Sequence, residues 1–295
     1  MNNASSPGRR LRDAWAAGPI QLPGVFNALV ARMAERIGFK ALYLSGAALS
    51  ASSAVPDVGL LSLTEFTEHA RTLTRATTLP LLCDADTGFG EALNVERTVR
   101  LFEEAGAAGI HLEDQIMPKR CGHLSGKQLV SAEEMAAKVR AAVAARRDAD
   151  FVIMARTDAR GVIGLDEAVR RARLYLAAGA DAVFPEAMES VEEFAAFARN
   201  VNEGRTPPVP LLANMTEFGR GPLLDFAALA QVGYRMVLYP VTTLRAALKA
   251  VQETLADVLA KGHQRDRLPD MMTRAELYEL LDYAGYEARD RAYFG

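Results

Sequence analysis

One phrase recurs four times along this chain and limits its fold more than any other feature. A helix-like stretch runs into a glycine, and a short apolar run follows at once. The copies read Gly38-Phe39-Lys40-Ala41-Leu42-Tyr43-Leu44, Gly106-Ala107-Ala108-Gly109-Ile110-His111-Leu112, Gly179-Ala180-Asp181-Ala182-Val183-Phe184 and Gly233-Tyr234-Arg235-Met236-Val237-Leu238. Each glycine suits the left-handed residue that closes a helix. Each apolar run has the length of a buried parallel strand. The copies lie 54 to 73 residues apart. One strand–helix unit takes about 30 residues or more, so each interval has room for two. Further strands are therefore expected at 79–86, 151–158 and 209–216, with a first one near 21–26. Eight strands alternating with helices imply a closed (β/α)8 barrel of the TIM type. An open doubly wound sheet is the weaker alternative, because no G-x-G-x-x-G turn follows the first strand.

Residues 1–18 are expected to form an added N-terminal helix, and 244–295 to hold C-terminal helices at 244–261 and 273–293. A barrel needs only one helix after its eighth strand, so the last is an extension. No linker or low-complexity stretch interrupts the 295 residues, which points to one domain.

Composition excludes several classes of function. The net charge of -3 gives no basic balance toward nucleic acid or an anionic membrane. Two cysteines, Cys83 and Cys121, offer neither a disulfide framework nor a cysteine zinc cluster, and free thiols fit a reducing compartment. The N-terminus is polar and basic with no apolar core, unlike a signal peptide. No apolar run approaches the roughly 20 residues that span a bilayer. The expectation is a cytoplasmic protein that handles a small molecule.

Barrel chemistry sits at the C-terminal ends of the strands, and polar residues crowd at those ends here. They are Ser45-Gly46, Asp84-Ala85-Asp86, Glu113-Asp114, Arg156-Thr157-Asp158, Glu186 and Asn214-Met215-Thr216, with Arg245 after the eighth strand. Asp84 and Asp86 are two apart, so on a strand both point the same way. Two like charges on one face call for a cation. Magnesium takes one or two carboxylates and keeps several waters, and the absence of a nearby histidine argues against zinc. Glu113, on the next strand, is placed to orient water around such an ion. The bland alternative is a pair of aspartates opening a loop.

The connection from 115 to 130 is long for a barrel loop, and long loops are often lids. Ser131 and Glu134 mark the helix start that ends it, with the spacing of a capping box. Within it, Lys119-Arg120-Cys121-Gly122-His123 surrounds a thiol with cations and an imidazole, which favours loss of its proton. A basic surface loop with an incidental cysteine is the competing reading. Cys83, inside an apolar strand, reads as simply buried, and His111 and His69 as structural. Arg156, Arg245 and Arg274 are candidate clamps for substrate carboxylates, although any single arginine is as often a surface ion pair.

These residues carry a family resemblance. Lys119-Arg120-Cys121-Gly122-His123 resembles the K-[KR]-C-G-H motif of the isocitrate lyase and phosphoenolpyruvate mutase superfamily. Tyr43-Leu44-Ser45-Gly46, Asp84-Ala85-Asp86-Thr87-Gly88-Phe89-Gly90, Glu113-Asp114-Gln115, Ala155-Arg156-Thr157-Asp158-Ala159, Phe184-Pro185-Glu186-Ala187, Asn214-Met215-Thr216-Glu217-Phe218-Gly219 and Leu238-Tyr239-Pro240 are similar to its other landmarks. At the C-terminus, Thr273-Arg274-x-Glu276-Leu277-Tyr278 resembles its bacterial members that act on methyl-branched isocitrate. Ala47 departs from members with a third glycine there, a mild change.

The resemblance implies a Mg2+-dependent carbon–carbon lyase that splits 2-methylisocitrate into pyruvate and succinate, a step of propionate catabolism in the methylcitrate cycle. Asp84 and Asp86 would hold the metal, and Cys121 would be the general acid. Lys119, His123 and Glu113 would assist, and Tyr43 and Asp57 are both open as the base. Ser45, Gly46, Ala47, Gly122, Arg156, Glu186, Asn214, Met215, Thr216, Arg245 and Arg274 would bind substrate. A homotetramer with exchanged C-terminal helices would carry over. Lyases for related diacids such as 2,3-dimethylmalate or oxaloacetate are the rival readings, and a non-catalytic metabolite-binding barrel is the rival of another class.

Overall fold

The structure, a computed structural model, describes residues 5–120, 126–219 and 221–294. It divides into two compact units, 1–244 and 245–295. The first carries eight parallel strands: β1 (Ile20–Pro23), β2 (Leu42–Leu44), β3 (Leu81–Asp84), β4 (Gly109–Glu113), β5 (Val152–Thr157), β6 (Ala182–Pro185), β7 (Leu212–Asn214) and β8 (Met236–Tyr239). Helices α1 (Pro7–Ala17), α2 (Ala28–Ile37), α3 (Gly46–Ser52), α4 (Leu63–Thr74), α5 (Ala92–Glu104), α6 (Ala132–Ala145), α7 (Leu165–Ala177), α8 (Val191–Asn202) and α9 (Phe226–Gln231) alternate with them. Strands β2 to β6 pair in sequence order, and β1, β8 and β7 form a second run. Bridges from Gly24 to Tyr43 and from Val183 to Leu211 join the two runs. The sheet therefore closes, and the expected (β/α)8 barrel is present.

Strand alternation sorts the core into two layers. Leu42, Leu44, Leu81, Cys83, Ile110, Leu112, Ile153 and Ala155 pack outward against the helices. Tyr43, Leu82, Met154, Phe184, Leu212 and Leu238 share a separate cluster that fills the barrel. Leu11 and Trp15 of α1 belong to that inner cluster. Arg12 holds α1 in place through Asp150 and Asp181, its guanidinium 2.8 Å from the latter. These acids precede β5 and β6, so the added N-terminal helix plugs the N-terminal end of the barrel. The four glycines of the repeated phrase all have positive φ, from 81° to 107°, as the helix-closing role requires.

Differences from the sequence reading lie at element ends. Strands expected at 79–86, 151–158 and 209–216 are shorter at both ends, spanning Leu81–Asp84, Val152–Thr157 and Leu212–Asn214. Asp86 has φ of 46° and lies beyond β3, so its direction is set by a turn and not by strand alternation. Ser131 accepts the N–H of Glu134 at 3.1 Å, and this bond caps α6.

The unit boundary falls within α10 (Thr242–Lys261). The second unit continues with α11 (Arg274–Leu280) and α12 (Tyr283–Phe294). The single helix expected over 273–293 is broken at Asp282, whose φ is 57°. Aspartate adopts that left-handed conformation more readily than most residues. No helix among the described residues is long and apolar enough to cross a membrane.

Candidate active site

The inner parity of each strand, continued past the packed apolar layer, runs into polar side chains. After Leu82 comes Asp84, after His111 Glu113, after Met154 Arg156, after Phe184 Glu186, and after Leu212 Asn214. All but Asn214 are buried, so a charged ring caps the C-terminal mouth of the barrel. Isolated buried charges are costly, and the ring is balanced by pairing.

Arg156 is its hub. Its Nε and Nη2 donate to Asp158 at 3.0 and 3.2 Å. Its guanidinium also lies 3.3 Å from Glu113, 3.4 Å from Glu186 and over the Phe184 ring. Burial opposes its charge, but Asp158, Glu113 and Glu186 outweigh that and hold it protonated. Burial raises Glu113 well above the usual carboxylate range in spite of Arg156 and Lys119. Asn214 donates to Glu186 at 3.1 Å, and Thr216 donates to Asn214 at 2.8 Å. Met215, between them, points away and is buried in the outer core layer.

Asp84 is fixed by backbone donors. Gly46 N–H reaches its Oδ2 and Asp86 N–H its Oδ1, both at 3.0 Å. A Cβ at Gly46 would stand 2.9 Å from that Oδ2, so the approach depends on glycine. Ser45 caps α3 by accepting from Ala48 N–H at 3.3 Å, and Ala47 follows on the same turn. Burial raises the Asp84 pKa, but His111, Lys119 and Arg156 bring it below its ordinary value. For Asp86, burial and the Asp84 charge prevail over Lys119 and push the pKa up to about 7.

Lys119 connects this acid pair to Asp57, with its Nζ 2.5 Å from Asp57 and 2.7 Å from Asp86. Burial works against its charge, and the surrounding carboxylates, Glu113 and Asp86 foremost, raise it above the ordinary value. Its backbone is set by Gln115, whose amide donates to Arg120 O and accepts from Arg120 N–H, both at 2.9 Å. Tyr43 places its hydroxyl 2.7 Å from His111 Nε2. Burial pushes the Tyr43 phenol well above its usual range and His111 down to about 4.

A divalent cation suits the acid pair. Asp86 Oδ1 faces the Lys119 ammonium off the line of a hydrogen bond, so it and Glu113 Oε1 are buried oxygens without hydrogen-bond partners among the described residues. No three His, Cys, Asp or Glu side chains converge as a cage among the described residues. Such a donor set fits a hard cation that keeps water, of the Mg2+ kind, better than zinc.

The structure thus brings together Tyr43, Ser45, Gly46, Asp57, Asp84, Asp86, Glu113, Lys119, Arg156, Glu186, Asn214 and Thr216. Cys121, Gly122 and His123 lie outside the described residues. Arg245, on α10, and Arg274, at the start of α11, are exposed residues of the second unit. Cys83 is fully buried, with its thiol pushed well up by burial. Asp158 and Lys127 enter the site without having been singled out as binding residues. Asp158 shares the parity of Met154 and Arg156, a signal that was there to read. Nothing in the pattern around Lys127 marks it.

The fold and ring define a (β/α)8 enzyme with buried carboxylates around a central arginine at its C-terminal mouth. The chain belongs to the phosphoenolpyruvate phosphomutase family, whose pattern matches residues 11–259. It is 54% identical to a 2-methylisocitrate lyase of Aeropyrum pernix over 285 residues, 96% of this chain and 90% of that protein. It is 47% identical to one of Bacillus subtilis (strain 168), over 96% of this chain and 91% of that protein. Among solved structures it is similar to oxaloacetate acetylhydrolase bound to 3,3-difluorooxalacetate, with a TM-score of 0.90, 36% identity and 98% of each chain covered. It is similar also to 2,3-dimethylmalate lyase, with a TM-score of 0.89, 34% identity, and 99% and 97% covered. A phosphonopyruvate hydrolase complex with oxalate and Mg++ gives a TM-score of 0.87 and 34% identity, with 99% and 100% covered.

Proposed function

We propose that this chain is a carbon–carbon lyase that splits 2-methylisocitrate into pyruvate and succinate. The observation that carries the reading is the buried ring of carboxylates around Arg156, in a chain that matches lyases for that substrate over 96% of its length. Asp84 and Asp86 would hold a divalent cation, Mg2+, which would supply Lewis-acid charge to the pyruvate half of the substrate. Of the two candidate bases, Tyr43 is a phenol that burial keeps protonated. Asp57 keeps 16% side-chain exposure beside Lys119 and is the favoured acceptor of the hydroxyl proton. As the C2–C3 bond breaks, its electron pair moves to the succinate half, where the adjacent carboxylate delocalises it. Cys121 then protonates that carbon as general acid.

Lys119 and His123 favour the thiolate–thiol exchange and screen the carboxylates. Glu113, raised well above the usual carboxylate range by burial, stands 3.3 Å from the Arg156 guanidinium and helps to place it. Ser45, Gly46, Ala47, Gly122, Arg156, Glu186, Asn214 and Thr216 form the substrate contacts in this reading, whereas Met215, expected among them, is buried in the outer core layer. The reading also includes one catalytic domain, a cytoplasmic location, and a homotetramer with exchanged C-terminal helices. Exposed Leu248, Leu255 and Leu259 on α10 support an apolar contact of the second unit.

The test is pyruvate release from the purified protein and 2-methylisocitrate, with Mg2+ and with chelator. Metal-dependent pyruvate is expected. Faster turnover of 2,3-dimethylmalate or oxaloacetate would reassign the substrate, a change that one or two methylenes can bring about.

A further inference from the structure

Arg156 is held by a carboxylate that it shares with a second buried cation. Asp158 accepts two hydrogen bonds from Arg156, at 3.0 and 3.2 Å, and one from Lys127 Nζ, at 2.7 Å. Lys127, Asp158 and Arg156 are 8%, 0% and 8% exposed. Lys127 belongs to no strand. It stands on the connection between β4 and α6, beside an antiparallel bridge from Gln115 to Leu129 that draws this stretch back over the barrel mouth. Burying an ammonium there is costly unless it is paired, and Asp158 is a carboxylate that it reaches.

We propose that Lys127 is a positioning residue for Arg156, acting through Asp158 to set the plane in which the guanidinium meets a substrate carboxylate. Three observations carry this. Arg156 faces three buried carboxylates, Asp158, Glu113 and Glu186, so it has more than one way to rest. Asp158 binds it with two hydrogen bonds, and bidentate contact fixes the plane of a guanidinium. The backbone of Asp158 is already held, because its N–H donates to Asp114 Oδ1 at 2.9 Å. Asp114 Oδ2 in turn accepts from Thr157, Tyr175 and Arg171 at 2.8, 2.8 and 3.1 Å. What is left to fix is the Asp158 side chain, and Lys127 holds its Oδ1, the oxygen that Arg156 Nη2 also reaches. Burial works against the Asp158 charge, and Arg156 and Lys127 together hold that carboxyl well below its usual range.

The inference rests on the reading that Arg156 binds a substrate carboxylate, and two independent measurements separate the two ideas. Steady-state pyruvate release with Mg2+ is compared for the parent, Lys127→Met, Lys127→Gln and Lys127→Arg. Succinate binding to the same proteins is followed by calorimetry. No pyruvate from the parent sinks the proposed activity, and the role of Lys127 is then judged on succinate binding alone. A positioning role predicts that Lys127→Met raises KM and weakens succinate binding by the same factor, about 10- to 100-fold. It predicts that kcat stays within about threefold, because ground state and transition state lose the contact equally. Lys127→Arg, which keeps the charge, recovers affinity. If Lys127→Met does not fold, Lys127→Gln, which keeps a donor toward Asp158, is read by the same criterion. Variants that lose thermal stability while KM and succinate affinity stay at the parent's values overturn the proposal. A fall in kcat with KM unchanged overturns it as well.

Discussion

The backbone N–H of Asp86 donates to Oδ1 of Asp84 at 3.0 Å. The two acids are therefore joined by a turn in which the second residue, at φ 46°, caps the first. That arrangement aims both carboxylates at the barrel mouth and makes them unequal. Asp84 is kept ionised by its cationic neighbours, while burial beside it raises Asp86 to about 7.

This inequality predicts a pH-dependent metal response. A carboxyl raised on folding favours the folded state at low pH and loses that contribution as pH rises through the raised value. A cation that binds the ionised pair relieves the cost, and protons compete with it. The stabilisation given by Mg2+ over chelator should therefore grow between about pH 5 and 8. Fluorescence of Trp15, the single tryptophan and a buried one, reports the unfolding midpoint. Asp86→Asn should abolish the Mg2+-dependent shift, and a shift that persists in that variant removes Asp86 from the metal site.

How much of this was legible beforehand follows from what each residue depends on. Glycine-ended helices and strand parity are local properties, so the eight strands and the inward placement of Asp84, Glu113, Arg156, Glu186 and Asn214 could be read from the chain. The direction of Asp86 depends on a single left-handed residue in a turn that non-glycine sequence does not announce. The break at Asp282 is of the same kind. Lys127 was invisible for another reason. Its partner, Asp158, is 31 residues away, and only closure of the barrel brings the two together. His111 reads as one more residue of an apolar strand, and its neutral, buried state comes from strands that pair with it.

His111 makes acid stability a second measurable property. Its pKa is lowered from 6.5 to about 4, chiefly by burial. A base whose folded pKa is depressed contributes stability above its unfolded value and loses it as pH falls toward the folded one. The chelated protein should therefore lose about 3 kcal/mol through this group between pH 6.5 and 4. His111→Asn should flatten that part of the urea-derived stability profile. An unchanged slope would mean that another group dominates it.

Asp114 predicts the largest structural effect. Its carboxylate accepts from Thr157, Tyr175, Arg171 and Asp158 N–H, and it is completely buried. Asp114→Ala leaves Arg171 without this carboxylate, and breaking such a buried pair costs about 3–5 kcal/mol. Tyr175→Phe removes two hydrogen bonds, one donated to Asp114 and one accepted from Arg171, and should cost only about 1–2 kcal/mol. Denaturant unfolding ranks the two, and equal losses would show that the network does not center on Asp114.

The last prediction concerns Cys121, whose role rests on the Lys119–His123 motif alone. A serine there is nearly isosteric but a far weaker acid, so it should fill the same space and fail to protonate the succinate carbanion on the catalytic timescale. General acid–base groups contribute about 10²- to 10⁴-fold to turnover. Cys121→Ser should lose a factor in that range from kcat while KM, succinate affinity and the Mg2+-dependent stability shift remain those of the parent. The contrast with Lys127→Met is the useful part. One variant should change kcat at constant affinity, and the other affinity at constant kcat. A Cys121→Ser protein that turns over at the parent rate would assign the proton to another group, for which His123 is the next candidate.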